Sequence, residues 1–597
     1  MLLKWRTYYR LGIGNVLRVL HYRLCLKFGW FARVLPVHPC PDGPFFTRPD
    51  VPRWDSAIPP LNAFGWLPVS TEAVPNWFEN LLTGKACTPS QQHWSTLADF
   101  DPEVGDIKGV WDLSRWGWLA HFALAYRCSG EQHWIDKMNL WLEDWCAANP
   151  VNQGLNWKCA QEAAIRVMHL AVALCLFEQR QPSDAVLQLV REHLLRIERT
   201  LRYAKGQDNN HGTSEGAALY IGATLLLHAE PQDRRASAWR TQSIAYLTER
   251  SQRLIAPDGT FSQYSSNYHR LMLDTFTLTE VWRRFMQQGA FPQSLQQQLR
   301  CASRWLLAML PPHTTDVPNW GANDGAQLQL FWFTEYRSFL PSALAAQMMW
   351  EGPQQPLCLL TLHQLGCAIP AEEQQSGATT LANGGLAIAK DVDAMVMLRA
   401  PAFDFRPGQE DCLHLDLWVK GDNLLADGGS YSYNTDDATM AYFNGPQGHN
   451  TIQFDGQPQM PRISRFLLGD WLHYDRLDAN RVSDGFRLYG AYRKRQLSHQ
   501  REVLLEPGQL TVIDTVQGVA SDAVMRWRLP ARDWICSGQE VTGGNVRIAV
   551  TASVPLQRFL LAEGLSSRYY GKKQSVPVLE ASIEAPAGII TTIIRWT

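Results

Sequence analysis

The spacing of hydrophobic residues changes once along this 597-residue chain, and that change constrains the fold more than any other feature. Between about 75 and 350, apolar residues recur every three or four positions, as in 158–179 and 271–289, which is the period of an α-helix. After about 380, apolar and polar residues alternate, which is the period of a β-strand. The two periods predict a helical array followed by a region of strands, and a chain of this length needs more than one hydrophobic core.

The second region contains several strand and turn signals. Residues 394–400 and 449–456 are typical of strands, and 502–516 places Pro507-Gly508 between two strand-like runs, which predicts a hairpin. Successive strands joined by short turns favour an antiparallel sandwich. The polar stretch 370–385, which lies between the two regions, is predicted to be a linker.

The run 413–419 alternates strictly, so its side chains are predicted to divide between two faces of a strand. Leu413, Leu415 and Leu417 fall on one face. His414 and Asp416 fall on the other, and we expect them to lie side by side on a face outside the sandwich core.

Charge and hydropathy limit the partners that this chain can bind. The formal net charge is −2, so no overall field favours nucleic acid. Residues 11–36 are apolar but interrupted by four Lys and Arg residues, so neither a transmembrane helix nor a signal-peptide core is predicted. A basic amphipathic helix fits this segment, either lying on an anionic membrane surface or docked on the protein itself. No pattern indicates the oligomeric state.

The stretch 207–216, QDNNHGTSEG, concentrates polar side chains where a helix is predicted to begin. Helix capping accounts for part of it, because Asn and Ser are favoured cap residues. An amide and an imidazole at Asn210 and His211 would also form a carboxylate clamp at the positive end of the helix.

Two further groups of residues suggest chemistry. Tyr268 precedes an apolar helix, where it either packs against that helix or serves as a proton-transfer group whose pKa of about 10 a neighbour must lower. His414, Asp427 and His449 suit a tetrahedral zinc site, although their spacing matches no short metal motif and ordinary hydrogen bonding is the alternative.

Taken in order, the blocks NNHG, DG…YH, LHLD, DGGSYSYN and HNT resemble the heparinase II/III family of polysaccharide lyases. The resemblance spans roughly 75–590 and implies an incomplete α/α toroid followed by an antiparallel β-sandwich, which we place over 61–369 and 386–597. The basic amphipathic segment indicated by charge and hydropathy precedes them over 1–60. It also implies β-elimination of a uronate-containing, acidic polysaccharide in a cleft between the two domains.

The resemblance assigns roles by position. Asn210 and His211 would neutralise the uronate carboxylate, and Tyr268 would move a proton at C5 or at the leaving oxygen O4. His414, Asp427 and His449 would hold one zinc ion beside the cleft. Further contacts to substrate are expected from Glu215, which would otherwise orient His211, and from His269, Tyr433 and Arg465.

The sequence departs from the family pattern at Cys412, where many members have a catalytic histidine. A thiol is a poorer proton shuttle, so another group must assist Tyr268 or the reaction must differ. Four side chains are open as helpers: His269, Tyr431, Tyr433 and Tyr442.

The sequence also permits two other functions. A hydrolase or epimerase on the same scaffold would use carboxylates such as Glu215, Asp324 and Asp411. The second alternative is a non-catalytic, glycan-binding protein that takes part in the assembly of a cell-surface polysaccharide. Scattered cysteines without a disulfide pattern and the lack of a signal-peptide core favour a cytoplasmic or membrane-peripheral location, with the periplasm as the alternative.

Overall fold

The structure is a computed structural model that describes residues 2–98, 104–328, 330–352 and 376–597. Helices fill the first part of the chain and antiparallel strands the second, in the order that the two hydrophobic periods predict. The helices are α1 (Leu2–Arg10), α2 (Ile13–Lys27), α3 (Trp30–Val34), α4 (Lys108–Ser114), α5 (Gly117–Ser129), α6 (His133–Ala148), α7 (Ala160–Leu176), α8 (Asp184–Gln207), α9 (Asn210–Ala229), α10 (Arg234–Leu254), α11 (Ser266–Phe285), α12 (Gln293–Ala308), α13 (Leu340–Trp350) and α14 (Asp437–Asn444).

Helix α9 lies at the centre of the helical domain. It packs against α7, α8, α10 and α11, and almost all of its side chains are buried. A helix that is apolar on every side belongs in a core, and its neighbours surround it here. Gly216 allows one of these contacts, because a Cβ atom at this position would lie 2.9 Å from Leu247 on α10. The polar first turn of α9 is therefore held at a fixed point of the domain.

The strands are β1 (Asn62–Ala63), β2 (Leu67–Pro68), β3 (Glu79–Asn80), β4 (Lys85–Ala86), β5 (Gly377–Leu381), β6 (Leu386–Lys390), β7 (Ala394–Arg399), β8 (His414–Val419), β9 (Asp422–Leu425), β10 (Ile452–Phe454), β11 (Arg462–Ser464), β12 (Leu467–Leu468), β13 (Tyr474–Val482), β14 (Gly485–Lys494), β15 (Leu497–Glu506), β16 (Gln509–Gln517), β17 (Ala523–Arg528), β18 (Ile535–Ser537), β19 (Glu540–Gly543), β20 (Val546–Ala552), β21 (Leu556–Tyr569), β22 (Lys572–Ile583) and β23 (Ala587–Trp596).

Three antiparallel sheets of four or more strands, with the short pair β11-β12, form the described part of the second domain. Strands β5 to β9 pair in chain order, the four-stranded sheet runs β10-β17-β22-β21, and the eight-stranded sheet runs β13-β14-β15-β16-β23-β20-β19-β18. The predicted hairpin is confirmed, because β15 and β16 pair on either side of Pro507-Gly508. Alternating buried and exposed residues along β15 and β16 show why this part of the sequence has a period of two.

Two predictions about the second domain need correction. Part of the expected linker, 370–375, lies outside the described residues, but Gly377–Leu381 forms β5 and pairs with β6. His414 and Asp416 do share a face of β8, yet both are fully buried. The reason is that this face is covered by the segments that carry Asn450 and Asp427: the Asn450 backbone N–H donates to Nδ1 of His414, and an Asp427 oxygen lies 3.7 Å from its Nε2.

Candidate active site

The first turn of α9 is built as the sequence predicts, with Asn209 as its cap. The Asn209 side chain accepts a hydrogen bond from the His211 backbone N–H at 3.1 Å. The backbone of the preceding residue, Asp208, has the left-handed helical conformation. The Asn210 backbone N–H donates to the side chain of Gln263 at 2.8 Å, and the Ser262 hydroxyl donates to the Asp208 carbonyl at 3.0 Å. These two bonds join the start of α9 to the loop that leads into α11.

The His211 ring is held by Glu215 and remains partly exposed to solvent. Nδ1 of His211 lies 3.3 Å from a carboxylate oxygen of Glu215, one helical turn away. The His211 side chain is 23% exposed, whereas Glu215 is 2% exposed and its pKa is raised by burial. Glu215 therefore orients His211, and its burial argues against the predicted contact with sugar.

Tyr268 lies in the first turn of α11, where it meets a tyrosine from the other domain. The hydroxyl groups of Tyr268 and Tyr433 lie 2.7 Å apart, a hydrogen bond in which either atom can be the donor. Burial is the largest influence on both side chains and holds the pKa of each well above its usual range. Of the four candidate helpers, Tyr433 is the one that bonds directly to Tyr268.

Two charged groups act on this pair in opposite directions. Asp324 adds a negative charge that raises the pKa of Tyr268 further after burial, and it pairs with Nζ of Lys108 at 2.6 Å. The same carboxylate also raises the pKa of Tyr433, whereas the hydrogen bond with Tyr268 and the positive charge of Arg406 lower it. The two hydroxyls are therefore electrostatically different although they share one hydrogen bond.

Arg406 marks the open side of the site. Its side chain is exposed to solvent, yet enough protein surrounds it for burial to lower its pKa. A side chain that is accessible and also enclosed lies in a concave surface, which is what a cleft provides. Neither Lys108, at the start of α4, nor Arg406, in a loop, could be singled out from the sequence, because neither basic residue belongs to a motif.

A second set of hydrogen bonds fixes the loop that carries Tyr433. A carboxylate oxygen of Asp106, from the helical domain, accepts hydrogen bonds from Ser432 at 2.6 Å and from the Tyr570 hydroxyl at 2.5 Å. The same Tyr570 hydroxyl accepts from the Tyr433 backbone N–H at 3.0 Å, and the Asn434 amide donates to the helical domain at 2.6 Å. The position of Tyr433 thus depends on docking of the two domains.

Two predicted substrate contacts lie elsewhere. His269 is 1% exposed, its Nε2 bonds to the Ala302 carbonyl at 2.9 Å, and its ring stacks on Trp305. It belongs to the helical core, because its neighbour Tyr268 occupies the side of α11 that faces the second domain. Arg465 is half-buried and donates to the Asn434 side chain at 2.8 Å, so it supports the loop beside Tyr433.

The three predicted metal ligands are brought together. One ligand atom from each of His414, Asp427 and His449 lies within 4.8 Å of the others, and all three residues are fully buried. Nδ1 of His449 bonds to Asp427 at 2.9 Å, and Nδ1 of His414 accepts from the Asn450 backbone at 2.9 Å. Among the described residues, no partner lies within hydrogen-bonding distance of Nε2 of either histidine.

This donor set fits a zinc ion. Two imidazoles and one carboxylate, all shielded from water, are ligands that zinc prefers, and two buried ring nitrogens without partners need a ligand. Asp416 has an oxygen 3.7 Å from Nε2 of His414, close enough to contribute a fourth donor. Because Nδ1 of His414 accepts a backbone hydrogen bond, the neutral ring carries its proton on Nε2, and metal binding through Nε2 would require the other tautomer and loss of that hydrogen bond.

Known proteins share these sequence features. The family model for the heparinase II/III N-terminus matches residues 91–347, and the model for the heparinase II/III-like C-terminal region matches residues 373–573. The chain belongs to the heparinase II/III family. The two matches include the first turns of α9 and α11, the Tyr433 loop and the three candidate metal ligands.

Individual relatives are more distant. A heparin-sulfate lyase from Pedobacter heparinus is 23% identical over 445 residues, which cover 71% of this chain and 63% of that protein, so this chain spans less than two thirds of that relative's length. The crystal structure of heparinase III has a TM-score of 0.68 at 16% identity and covers 97% of this chain and 90% of its own. A chondroitin AC lyase from Streptomyces coelicolor A3, in complex with chondroitin sulphate, has a TM-score of 0.51 at 12% identity and covers 82% of this chain and 74% of its own. The predicted fold, an incomplete α/α toroid followed by a β-sandwich, is confirmed.

The position where the family pattern has a histidine is occupied by a thiol without access to solvent. Cys412 is fully buried, and burial holds its pKa well above the usual range. Its backbone bonds to the Gln459 side chain at 2.9 Å, inside the β-domain. A neutral, buried thiol does not transfer protons readily, so Cys412 leaves that task to another group.

The remaining helper candidates are engaged elsewhere. The Tyr442 hydroxyl accepts hydrogen bonds from Arg528 and from the Leu565 backbone at 2.8 and 2.9 Å. Tyr431 stacks on Phe443 with ring centroids 5.8 Å apart. Among the described residues, Tyr433 is therefore the one helper candidate that bonds to the Tyr268 hydroxyl.

The carboxylates that a hydrolase would need are also committed to other contacts. Asp324 is paired with Lys108. Burial raises the pKa of Asp324, but the positive charge of Lys108 helps to lower it below its usual value. Asp411 is 3% exposed and accepts from the Trp320 indole at 3.1 Å. Glu215 is held by His211. None of these three is a free carboxylic acid able to protonate a leaving oxygen.

Proposed function

We propose that this protein is a polysaccharide lyase that cleaves an acidic, uronate-containing polysaccharide by β-elimination. The observation that carries the proposal is the 2.7 Å hydrogen bond between the hydroxyl groups of Tyr268 and Tyr433. The lyase names of the relatives support it, and so does the chondroitin sulphate bound to one of them.

The first requirement of this reaction is to stabilise negative charge on the uronate. Removal of the C5 proton turns the carboxylate into an enolate-like species, and donors that point at it lower the barrier. Asn210 and His211 are placed for this task at the N-terminal end of α9, where the helix dipole adds positive potential. Arg406, at the accessible side, adds a full positive charge for an anionic sugar.

The second requirement is to move two protons, and the two tyrosines divide this work. Arg406 stabilises the phenolate of Tyr433, so Tyr433 takes the proton from C5. Asp324 raises the pKa of both tyrosines, but their shared hydrogen bond raises the pKa of Tyr268 and lowers that of Tyr433. Tyr268 therefore stays protonated and delivers its proton to O4 as the C4–O4 bond breaks and the C4–C5 double bond forms. The proton taken by Tyr433 then passes to Tyr268 along their hydrogen bond, which restores the starting state.

The cluster of His414, Asp427 and His449 would hold a zinc ion in the β-domain. Bound there, the ion would supply a fixed positive charge and cross-link the strand β8 to the two loops that carry Asp427 and His449. Gly429 lies two residues beyond Asp427 and its N–H bonds to that carboxylate at 2.7 Å, so the metal site would brace the segment that continues to Tyr433.

The test is incubation of the purified full chain with a panel of uronate polymers, including heparan sulfate and chondroitin sulfate. A lyase produces new chain ends with a C4–C5 double bond, which absorbs in the ultraviolet, and Tyr268→Phe abolishes that signal. Reducing ends that appear without the double bond would establish hydrolysis. Binding of a polymer without any cleavage, unchanged in Tyr268→Phe, would establish a binding protein and refute the proposal.

A further inference from the structure

The first two helices are each attached to the body of the protein by one face. The Asn15 amide of α2 donates to Asp208 at 2.7 Å, and the Tyr22 ring stacks on Tyr203 of α8 with centroids 3.9 Å apart. The start of the chain is attached to the other domain, where Arg10 of α1 donates to the Trp471 carbonyl at 2.8 Å. Both helices are thereby fixed in orientation.

Close approach at Gly206 shows that the docking of α2 is specific. A Cβ atom at this position of α8 would lie 2.9 Å from the Cβ of Arg18 and 3.2 Å from the Asn15 carbonyl oxygen. Only glycine leaves room for the two helices to pack this closely. The alternative left open by the sequence, docking on the protein itself, accounts for this inner face of α2 and leaves the outer face unexplained.

The outer faces are strongly apolar. Residues along α2 and just beyond its end recur at spacings of three and four, which places them in one row, and each is between 44% and 67% exposed. The outer face of α1 adds three aromatic residues that are between 40% and 74% exposed. The members of this outer surface are Ile13, Leu17, Leu20, Leu24 and Phe28 of the α2 row, and Trp5, Tyr8 and Tyr9 of α1.

The segment that forms these helices is also strongly basic. The first 41 residues contain seven Lys and Arg residues and no Asp or Glu, although the whole chain has a net charge of −2. Arg23 and Lys27 are exposed on the same helix as the apolar row. Exposed apolar rows flanked by basic side chains match the interface of a bilayer that carries anionic lipids.

We propose that the outer faces of α1 and α2 form a docking surface for an anionic phospholipid bilayer, with the two helices lying in the plane of the interface. The apolar row enters the boundary between head groups and acyl chains, while Arg23 and Lys27 reach the lipid phosphates. A second copy of the chain is a poorer occupant, because pairing two such surfaces would bring their positive charges together. Within the described ranges, no helix is long and apolar enough to cross a membrane.

The experiment is flotation of the purified full chain with vesicles of phosphatidylcholine alone or mixed with an equal amount of phosphatidylglycerol. We expect the chain to float with the mixed vesicles at low salt, to be released as salt rises, and to bind the neutral vesicles much more weakly. Equal binding to both kinds of vesicle, or binding to neither, would overturn the proposal.

Paired substitutions then locate the surface. Leu17→Gln with Leu24→Gln should weaken binding to mixed vesicles roughly tenfold, since two apolar side chains no longer enter the interface. Arg23→Gln with Lys27→Gln should remove most of the preference for the anionic lipid. Leu140→Gln, at a site 54% exposed on α6, is the matched control and should bind like the unchanged chain.

Two outcomes would contradict this assignment. Unchanged vesicle binding by the Leu17 and Leu24 variant would place the contact elsewhere. A lipid-free dimer that this variant dissociates, measured by sedimentation equilibrium, would make the surface an interface between copies of the chain. All substituted side chains are exposed, so circular dichroism and thermal melting should match those of the unchanged protein. The proposal does not rest on lyase activity, and its test needs no polysaccharide.

Discussion

The hydroxyl groups of Tyr268 and Tyr433 lie 2.7 Å apart, although 165 positions separate the two residues in the sequence. Tyr268 comes from the first turn of α11 in the helical domain, and Tyr433 comes from a loop of the β-domain. The pair exists only when the domains are docked, and Asp106 secures that docking through Ser432 and Tyr570. The proposed proton transfer would therefore depend on the interface between the two domains.

The first prediction concerns the second tyrosine. Tyr433→Phe removes one hydroxyl and should lower kcat by roughly 10²- to 10⁴-fold, the usual contribution of a general acid or base. Tyr268→Phe should cause a loss of similar size, and the double variant should lose little more, because the two hydroxyls act as one unit. The measurement is the rate of double-bond formation at saturating polysaccharide.

Tyr431→Phe is the matched control, since this tyrosine lies two residues away in the same loop and stacks on Phe443. It should retain nearly full kcat. Loss of activity in Tyr431→Phe with retention in Tyr433→Phe would exchange the roles of the two residues and refute the acid–base pair described above.

The second prediction concerns pH. The positive charge of Arg406 lowers the pKa of Tyr433, so Arg406→Gln should raise that pKa. A base works only in its ionised form, and a higher pKa means less phenolate at any given pH. The ascending limb of kcat/KM against pH should therefore move to more alkaline pH in Arg406→Gln.

Arg406→Lys keeps the positive charge and should leave the limb close to its original position, which separates charge from shape. A variant Arg406→Gln with a raised KM and an unmoved limb would show that Arg406 only holds the substrate. In that case the assignment of Tyr433 as the base would lose its electrostatic support.

The parts of the site that the sequence predicts are local ones. Asn210 and His211 stand out because a cap, an amide and an imidazole occur within a few positions of a predicted helix start. Helical and strand periods likewise depend on neighbours three, four or two residues apart, which explains why α9, α11 and the β15–β16 hairpin are predicted correctly.

The parts that the sequence does not predict are created by long-range contacts. Lys108 pairs with Asp324 across 216 positions, and no spacing rule connects them. The burial of His414 and Asp416 depends on Asn450, which covers β8 from outside that strand. Alternation alone assigns the polar face of β8 to the surface, because it cannot show that a second layer covers this face.

The third prediction concerns the pair of Lys108 and Asp324, which is mostly buried and whose charges lie 2.6 Å apart. Asp324→Asn or Lys108→Met alone leaves one charge without its partner and should lower the free energy of unfolding by about 3–5 kcal/mol. The double variant removes both charges and should lose less than the sum of the two single changes, as measured by urea denaturation.

This pair also predicts the direction of a pH effect. Burial raises the pKa of Asp324, but Lys108, Arg115 and a backbone hydrogen bond from Ala326 together outweigh burial and lower it in the folded protein. Its contribution to stability is therefore fully present above the unfolded value, about 3.9, and is lost as the pH falls below it. The difference in unfolding free energy between the unchanged chain and Asp324→Asn should shrink as the solution is acidified, and a constant difference would contradict the linkage.

The last prediction concerns the metal cluster, whose ligands are fully buried in the β-domain. We expect the purified chain to contain about one zinc per molecule by elemental analysis, because a three-residue set of this kind forms a single site. His449→Ala should lose the metal and lower the thermal midpoint, since metal binding to the folded state stabilises it. Gln453→Ala, in the neighbouring strand β10, should keep the metal. If the unchanged chain holds no metal and a chelator leaves its melting unaltered, then the two histidines and Asp427 form a buried hydrogen-bond network instead, and His449→Ala should destabilise the chain to the same extent with or without added zinc.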